Sequence, residues 1–119
     1  MNITFLTECG EKVGFGHFMR CLAIASAYKE KGINPKLIIC VDKNIVQLQS
    51  YDYDIKFFDW ISKFNQLIKK IEKTDLLVID SISISKDYYS KVINKIDNVL
   101  FIDDYRRWKH KRGVIVDWT

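Results

Sequence analysis

The chain has 119 residues, 48% hydrophobic and 29% charged, which is enough for one domain with a real core and too few for two. Its net charge of +4 is too mild to argue for a nucleic-acid partner, and one proline and five glycines leave no long linker, repeat or low-complexity tract. Three cysteines at 9, 21 and 40 with no CxxC spacing read as a reduced intracellular protein, not a disulfide scaffold.

NITFLT (2–7) is predicted as a strand. Its apolar run is broken by Thr4 and closed by Glu8, too short for a signal peptide. No window is apolar enough for a membrane span, so the expected location is the cytoplasm. Residues 8–15 read as a polar, glycine-containing loop. A helix is expected over 16–31, apolar on most sides and therefore well buried, with Gly32 as its stop. KLIICV (36–41) is a continuous apolar strand of the kind that a parallel sheet covers on both faces. A short helix at 44–50 and a strand at 54–59 follow. Apolar residues at 60, 61, 64, 67, 68 and 71 predict a helix over 60–73. DLLVID (75–80) is a strand. A helix over 85–96 carries Tyr88, Tyr89, Val92, Ile93 and Ile96 on one face, and strands follow at 98–103 and 113–118.

Strands alternating with helices predict an α/β domain: a Rossmann-like, mostly parallel sheet with helices on both faces, spanning 1–119 as one unit. Such sheets bind ligands at the carboxyl ends of their strands. Those ends carry Glu8 to His17, Asp42, Asp59, Asp80 and Ser81, and Asp103 and Asp104.

The stretch VGFGHFMRCL (13–22) concentrates the chemistry. Gly14 and Gly16 permit close backbone approach. His17 falls at a helix start, where free N–H groups welcome an anion and where a neutral imidazole can act as a base near pH 7. A P-loop is excluded, because GxxxxGK[ST] is absent. A dinucleotide site has Gly14-x-Gly16 and Asp42 in its favour, but Met19 stands at the third glycine position and the loop is long. A structural turn holding a packed histidine is the third reading. His17 and Cys21 are spaced i, i+4, but no other Cys or His stands near enough to complete a metal site. Asp103 and Asp104 point to opposite faces if both lie on a strand, so they do not share a metal.

Taken whole, GFGHFMRCLAIA, with DLLVID and FIDDYRR downstream, resembles the UDP-sugar hydrolases of the pseudaminic acid pathway and related spore-coat polysaccharide biosynthesis proteins. The resemblance covers essentially the whole chain. It implies the N-terminal half of a GT-B fold, with a UDP-sugar as substrate, no metal or other cofactor, and a C-terminal nucleotide-binding domain as partner in the same or another chain. His17 matches the family's catalytic histidine, which would take a proton from the water attacking the anomeric carbon as UDP departs. Substrate contacts are expected from Glu8, from the turn residues Gly14, Phe15, Gly16 and Phe18, and from Arg20, Asp80 and Asp104. Arg20 has a second reading as an ion pair tying its helix to the sheet. Leu6 and Glu8 stand where the hydrolases usually carry Arg and Asp, and Ser81-Ile82 where many carry an aromatic. These departures leave the sugar open, and leave glycosyl transfer and a non-catalytic nucleotide-sugar-binding half as alternatives. RRWKHKR (106–112) reads as a solvated loop, or as a contact for the second domain or the nucleotide phosphates.

Overall fold

A computed structural model of the chain describes residues 1–42 and 53–103, together with the backbone of 114–116. The helix expected at 44–50, the basic stretch 106–112 and Asp104 lie outside the described residues. The elements run β1 (Ile3–Cys9), α1 (Gly16–Glu30), β2 (Lys36–Val41), β3 (Asp54–Phe57), α2 (Phe64–Ile71), β4 (Leu76–Asp80), α3 (Lys86–Ile93), β5 (Val99–Ile102) and β6 (Val114–Val116).

All six strands are parallel, in the order β3-β2-β1-β4-β5-β6. The chain winds outward from β1 through β2 to β3, then returns to β4 beside β1 and winds the other way. The point of reversal lies between β1 and β4, and sheets of this kind open a crevice there at the carboxyl ends. Alternate residues face opposite sides. Ile3, Phe5 and Cys9 of β1 join Leu37, Ile39 and Val78 beneath Phe18, Cys21, Leu22 and Ala25 of α1. Leu6, Ile38, Leu77, Ile79 and Phe101 form the opposite core with Leu67 and Ile71 of α2 and Tyr89, Val92 and Ile93 of α3. The α/β, Rossmann-like architecture with helices on both faces is therefore the observed one. No helix among the described residues is long and apolar enough to cross a membrane.

Several boundaries differ from the sequence reading. β1 runs on through Glu8 and Cys9, because both pair with β2 at Cys40 and Val41; the following loop is correspondingly shorter. α1 is buried along one stripe, Phe18, Cys21, Leu22 and Ala25, which faces the sheet, while Met19 is 51% exposed. Gly32 does end the helix: its N–H donates to Lys29 O at 3.0 Å and the Ile33 N–H to Tyr28 O at 3.1 Å, the paired closure typical of a glycine after a helix. α2 begins at Phe64 and not at Trp60. Asp59 Oδ1 accepts the Ser62 N–H at 3.2 Å and folds residues 59–62 into a turn. Trp60 is thereby buried against the sheet, its indole N–H donating to Thr7 O at 2.8 Å.

Candidate functional site

The carboxyl edge at this switch point is built from the end of β1, the loop into α1 and the end of β4. After Cys9 the chain makes a small hairpin in which Gly10 and Gly14 exchange backbone hydrogen bonds of 3.1 and 2.7 Å. Gly10 sits at φ +150° and Gly14 at φ +76°, conformations that L side chains rarely adopt. Asp42, at the end of β2, braces this hairpin by accepting the Lys12 N–H at 3.1 Å. A Cβ on Gly10 would stand 2.2 Å from Asp42 Oδ2, so Gly10 is the position where close approach requires a glycine.

The chain then enters α1 with Phe15 as its N-cap. Among the described residues no side chain caps this helix, and its first turn holds no acidic residue. Beyond the adjoining backbone, nothing among the described residues lies within 4 Å of where a Cβ on Gly14 or Gly16 would project, so both face open space at the helix start. Phe15 is 46% exposed beside them. Phe18 turns inward and is fully buried in the α1 core. Its ring is therefore a packing group, and any substrate contact from this position falls to its backbone.

His17 and Arg20, one turn apart on α1, both reach the carboxylate of Asp80. His17 Nδ1 lies 2.6 Å from Asp80 Oδ1. Arg20 grips the same group with both prongs, Nε to Oδ2 at 2.6 Å and Nη2 to Oδ1 at 2.7 Å. The Asp80 side chain is 0% exposed and that of His17 16%. Burial pushes the Asp80 carboxyl upward, but the hydrogen bonds from His17 and Arg20 outweigh it and hold the group below the usual carboxylate range. An ionised carboxylate only accepts hydrogen bonds, so Nδ1 carries the proton that faces Asp80, and Nε2 is the nitrogen left to act as a base when the ring is neutral. The arrangement can thus present an oriented imidazole base, backed by a buried carboxylate, at the rim of the crevice.

The sequence reading brought His17, Arg20 and Asp80 to one edge, and the structure joins them. Arg20 takes the ion-pair role, and its guanidinium is committed to Asp80. Glu8 is placed differently from the expectation of a substrate contact. It is 4% exposed and accepts the hydroxyl of Ser81, the Ser83 N–H at 2.9 Å and the Ser83 hydroxyl at 2.5 Å. Its carboxylate organises the loop after β4, because strand pairing to Cys9 carries it inside the sheet. Cys21 is also buried, and burial pushes its thiol well above the ordinary range; it faces the core while His17 faces the rim. Asp103 closes β5 as a buried residue.

The sequence reading places Ser81 at the strand end but misses its bond to Glu8, and it misses Ser83 altogether. The signal was the alternation DSISIS (80–85), in which two serines bind Glu8 and the third, Ser85, caps α3 by accepting the Tyr88 N–H at 3.1 Å. Asp42, weighed as a ribose-binding acid, instead braces the hairpin. No protein-family model, curated protein or solved structure matches this chain.

Proposed function

We propose that this domain is the sugar-side half of a nucleotide-sugar-processing enzyme of the cytoplasm, hydrolase-like and acting in surface polysaccharide synthesis, with His17 as general base. The observation that carries the reading is the His17–Asp80 pair at the β1/β4 crevice, set beside the uncapped start of α1. In the proposed reaction water attacks the anomeric carbon from the side opposite the nucleotide. The bond from that carbon to the phosphate oxygen breaks, UDP leaves with the electron pair, and Nε2 takes the proton from the water. Asp80 holds the ring in the required tautomer and offsets the charge it gains. The open space at Gly14 and Gly16 allows a phosphate or sugar to approach backbone N–H groups, and the helix start favours the negative charge of the leaving group. A second, nucleotide-binding domain completes the site. Glycosyl transfer would use the same residues, with an acceptor hydroxyl in place of water.

Positioned base catalysis contributes about 10²–10⁴-fold. His17→Ala is therefore expected to cut UDP release by that order when the domain is assayed together with its nucleotide-binding half; activity within a few-fold of wild type overturns the assignment. Amide NMR of the labelled chain tests binding directly. Shifts at Gly14 to Arg20 with UDP-N-acetylglucosamine, and none with NAD, are expected.

The strand order gives a dinucleotide-binding domain as the second reading, since it is the order in which such domains hold their cofactor at the same crevice. Met19 at the third glycine position counts against it, and the Lys12 N–H already takes up one acceptor site of the Asp42 carboxylate. NAD-induced shifts that include Asp42 would favour it.

A further inference from the structure

The end of β4 is gripped from both faces of the sheet. On the α1 face Asp80 is held by His17 and Arg20. On the opposite face the next residue, Ser81, donates its hydroxyl to Glu8 of β1, and Ser83 adds its amide and its hydroxyl to the same carboxylate. Ser81 Oγ in turn accepts the Ile84 N–H at 3.2 Å, so the four residues after Asp80 are folded around one buried acid. A carboxylate that is 4% exposed and filled by three donors contributes through these bonds, because losing an acceptor inside a protein strands its donors.

We infer that Glu8 is a positioning residue for the histidine: through Ser81 and Ser83 it fixes the end of β4, and so fixes the Asp80 carboxylate that holds the His17 proton on Nδ1. Its importance for catalysis rests on the function proposed above, but the positioning itself can be read without a substrate. Glu8→Gln keeps the shape of the side chain and replaces one acceptor oxygen by an NH2 group, which cannot accept from the Ser81 or Ser83 donors.

The test is histidine-selective nitrogen-15 NMR of the full chain, carried out in a His110→Gln background because His110 is the second histidine. With Glu8 intact, His17 is expected to show a single Nδ1-protonated tautomer whose ring proton is protected from solvent. In Glu8→Gln that proton should exchange roughly tenfold faster as the strand end opens locally, or the tautomers should mix, while the amide spectrum away from residues 80–85 stays in place. Ser83→Ala should move the same signal in the same direction by less, and Ser83→Thr, which keeps the hydroxyl, should restore it. If Glu8→Gln fails to fold, the Ser83 pair decides. An unchanged Nδ1 proton in the variants, with shifts confined to the amides of 81–84, overturns the inference, as does a wild-type ring protonated on Nε2. A failure to bind or hydrolyse a UDP-sugar would sink the proposed function and leave this result standing.

Discussion

Asp80 carries more of the site than any other single residue, because it is buried, charged and shared. Its pairing with Arg20 is two-pronged, and removing one partner of a buried ion pair costs about 3–5 kcal/mol by leaving the other uncompensated. Asp80→Ala is therefore expected to lower stability by that order in denaturant unfolding, and Asp80→Asn by less. The folded carboxyl lies below its ordinary value of 3.8. Its stabilisation is then fully present above that value and is lost as pH falls through the lower, folded one. The stability gap between wild type and Asp80→Asn should consequently shrink as pH falls below 3.8; a gap that stays constant, or that widens, over that range contradicts the geometry. An ion pair from Arg20 to a strand-end carboxylate was legible in the sequence, but Asp80 and Asp104 were equal candidates, because the strand order that sets β4 beside β1 cannot be read from the residues. Glu8 was misplaced for an equally physical reason. A polar residue at a strand end looks the same whether the ladder stops before it or after it, and its partners Ser81 and Ser83 stand more than seventy positions away.

The element that shapes the crevice is the short hairpin between β1 and α1, and its two kinds of glycine do different work. Gly10 is required by the protein itself: its φ is +150° and a Cβ would overlap the Asp42 carboxylate. Gly10→Ala should cost about 1–3 kcal/mol, the range for a side chain held in a sparsely populated backbone region, and should break the Lys12–Asp42 hydrogen bond, seen as a shift of the Lys12 amide. Among the described residues no neighbour requires Gly16, the first residue of α1, since a Cβ there would meet nothing within 4 Å beyond the adjoining backbone. Gly16→Ala should leave the melting temperature unchanged or raise it, because it removes unfolded-state freedom without strain, while weakening the sugar-nucleotide shifts where a ligand would meet the added methyl. Equal damage from both substitutions would mean that the space at Gly16 is not a binding surface. Elements with a long, clean period were readable: α3 and the strands fall where hydrophobicity places them, within a few residues. α2 was overextended, because Trp60 and Ile61 continue its helical period. The competing signal was the side chain of Asp59, which builds a turn before the helix can start.

At the scale of the whole molecule, one sheet separates two cores, and the three free cysteines sample both. Cys9 and Cys21 belong to the core under α1, whereas Cys40 packs against the α2/α3 core and donates its thiol to Asp59 at 3.4 Å. Burial, reinforced by Asp42 and Glu8, pushes the Cys9 thiol up to about 11. Burial and the Asp59 hydrogen bond push that of Cys40 up to about 12. Since the thiolate is the reactive form, native labelling at neutral pH must wait for the structure to open. Cys40 is only half-buried and should react through local opening at the end of β2. Cys9 and Cys21 lie in one packed layer with β1 at the centre of the sheet, so they should react together, more slowly, and only as the α1 layer detaches or the domain unfolds. Mass spectrometry after timed alkylation separates the three sites. Cys21 labelling ahead of Cys40, or Cys9 and Cys21 labelling at unrelated rates, would show that α1 leaves the sheet independently. The His17–Asp80 pair would then be a transient arrangement instead of a fixed one. Matched slow rates would mean that the layer positioning the candidate base is as stable as the sheet on which it rests.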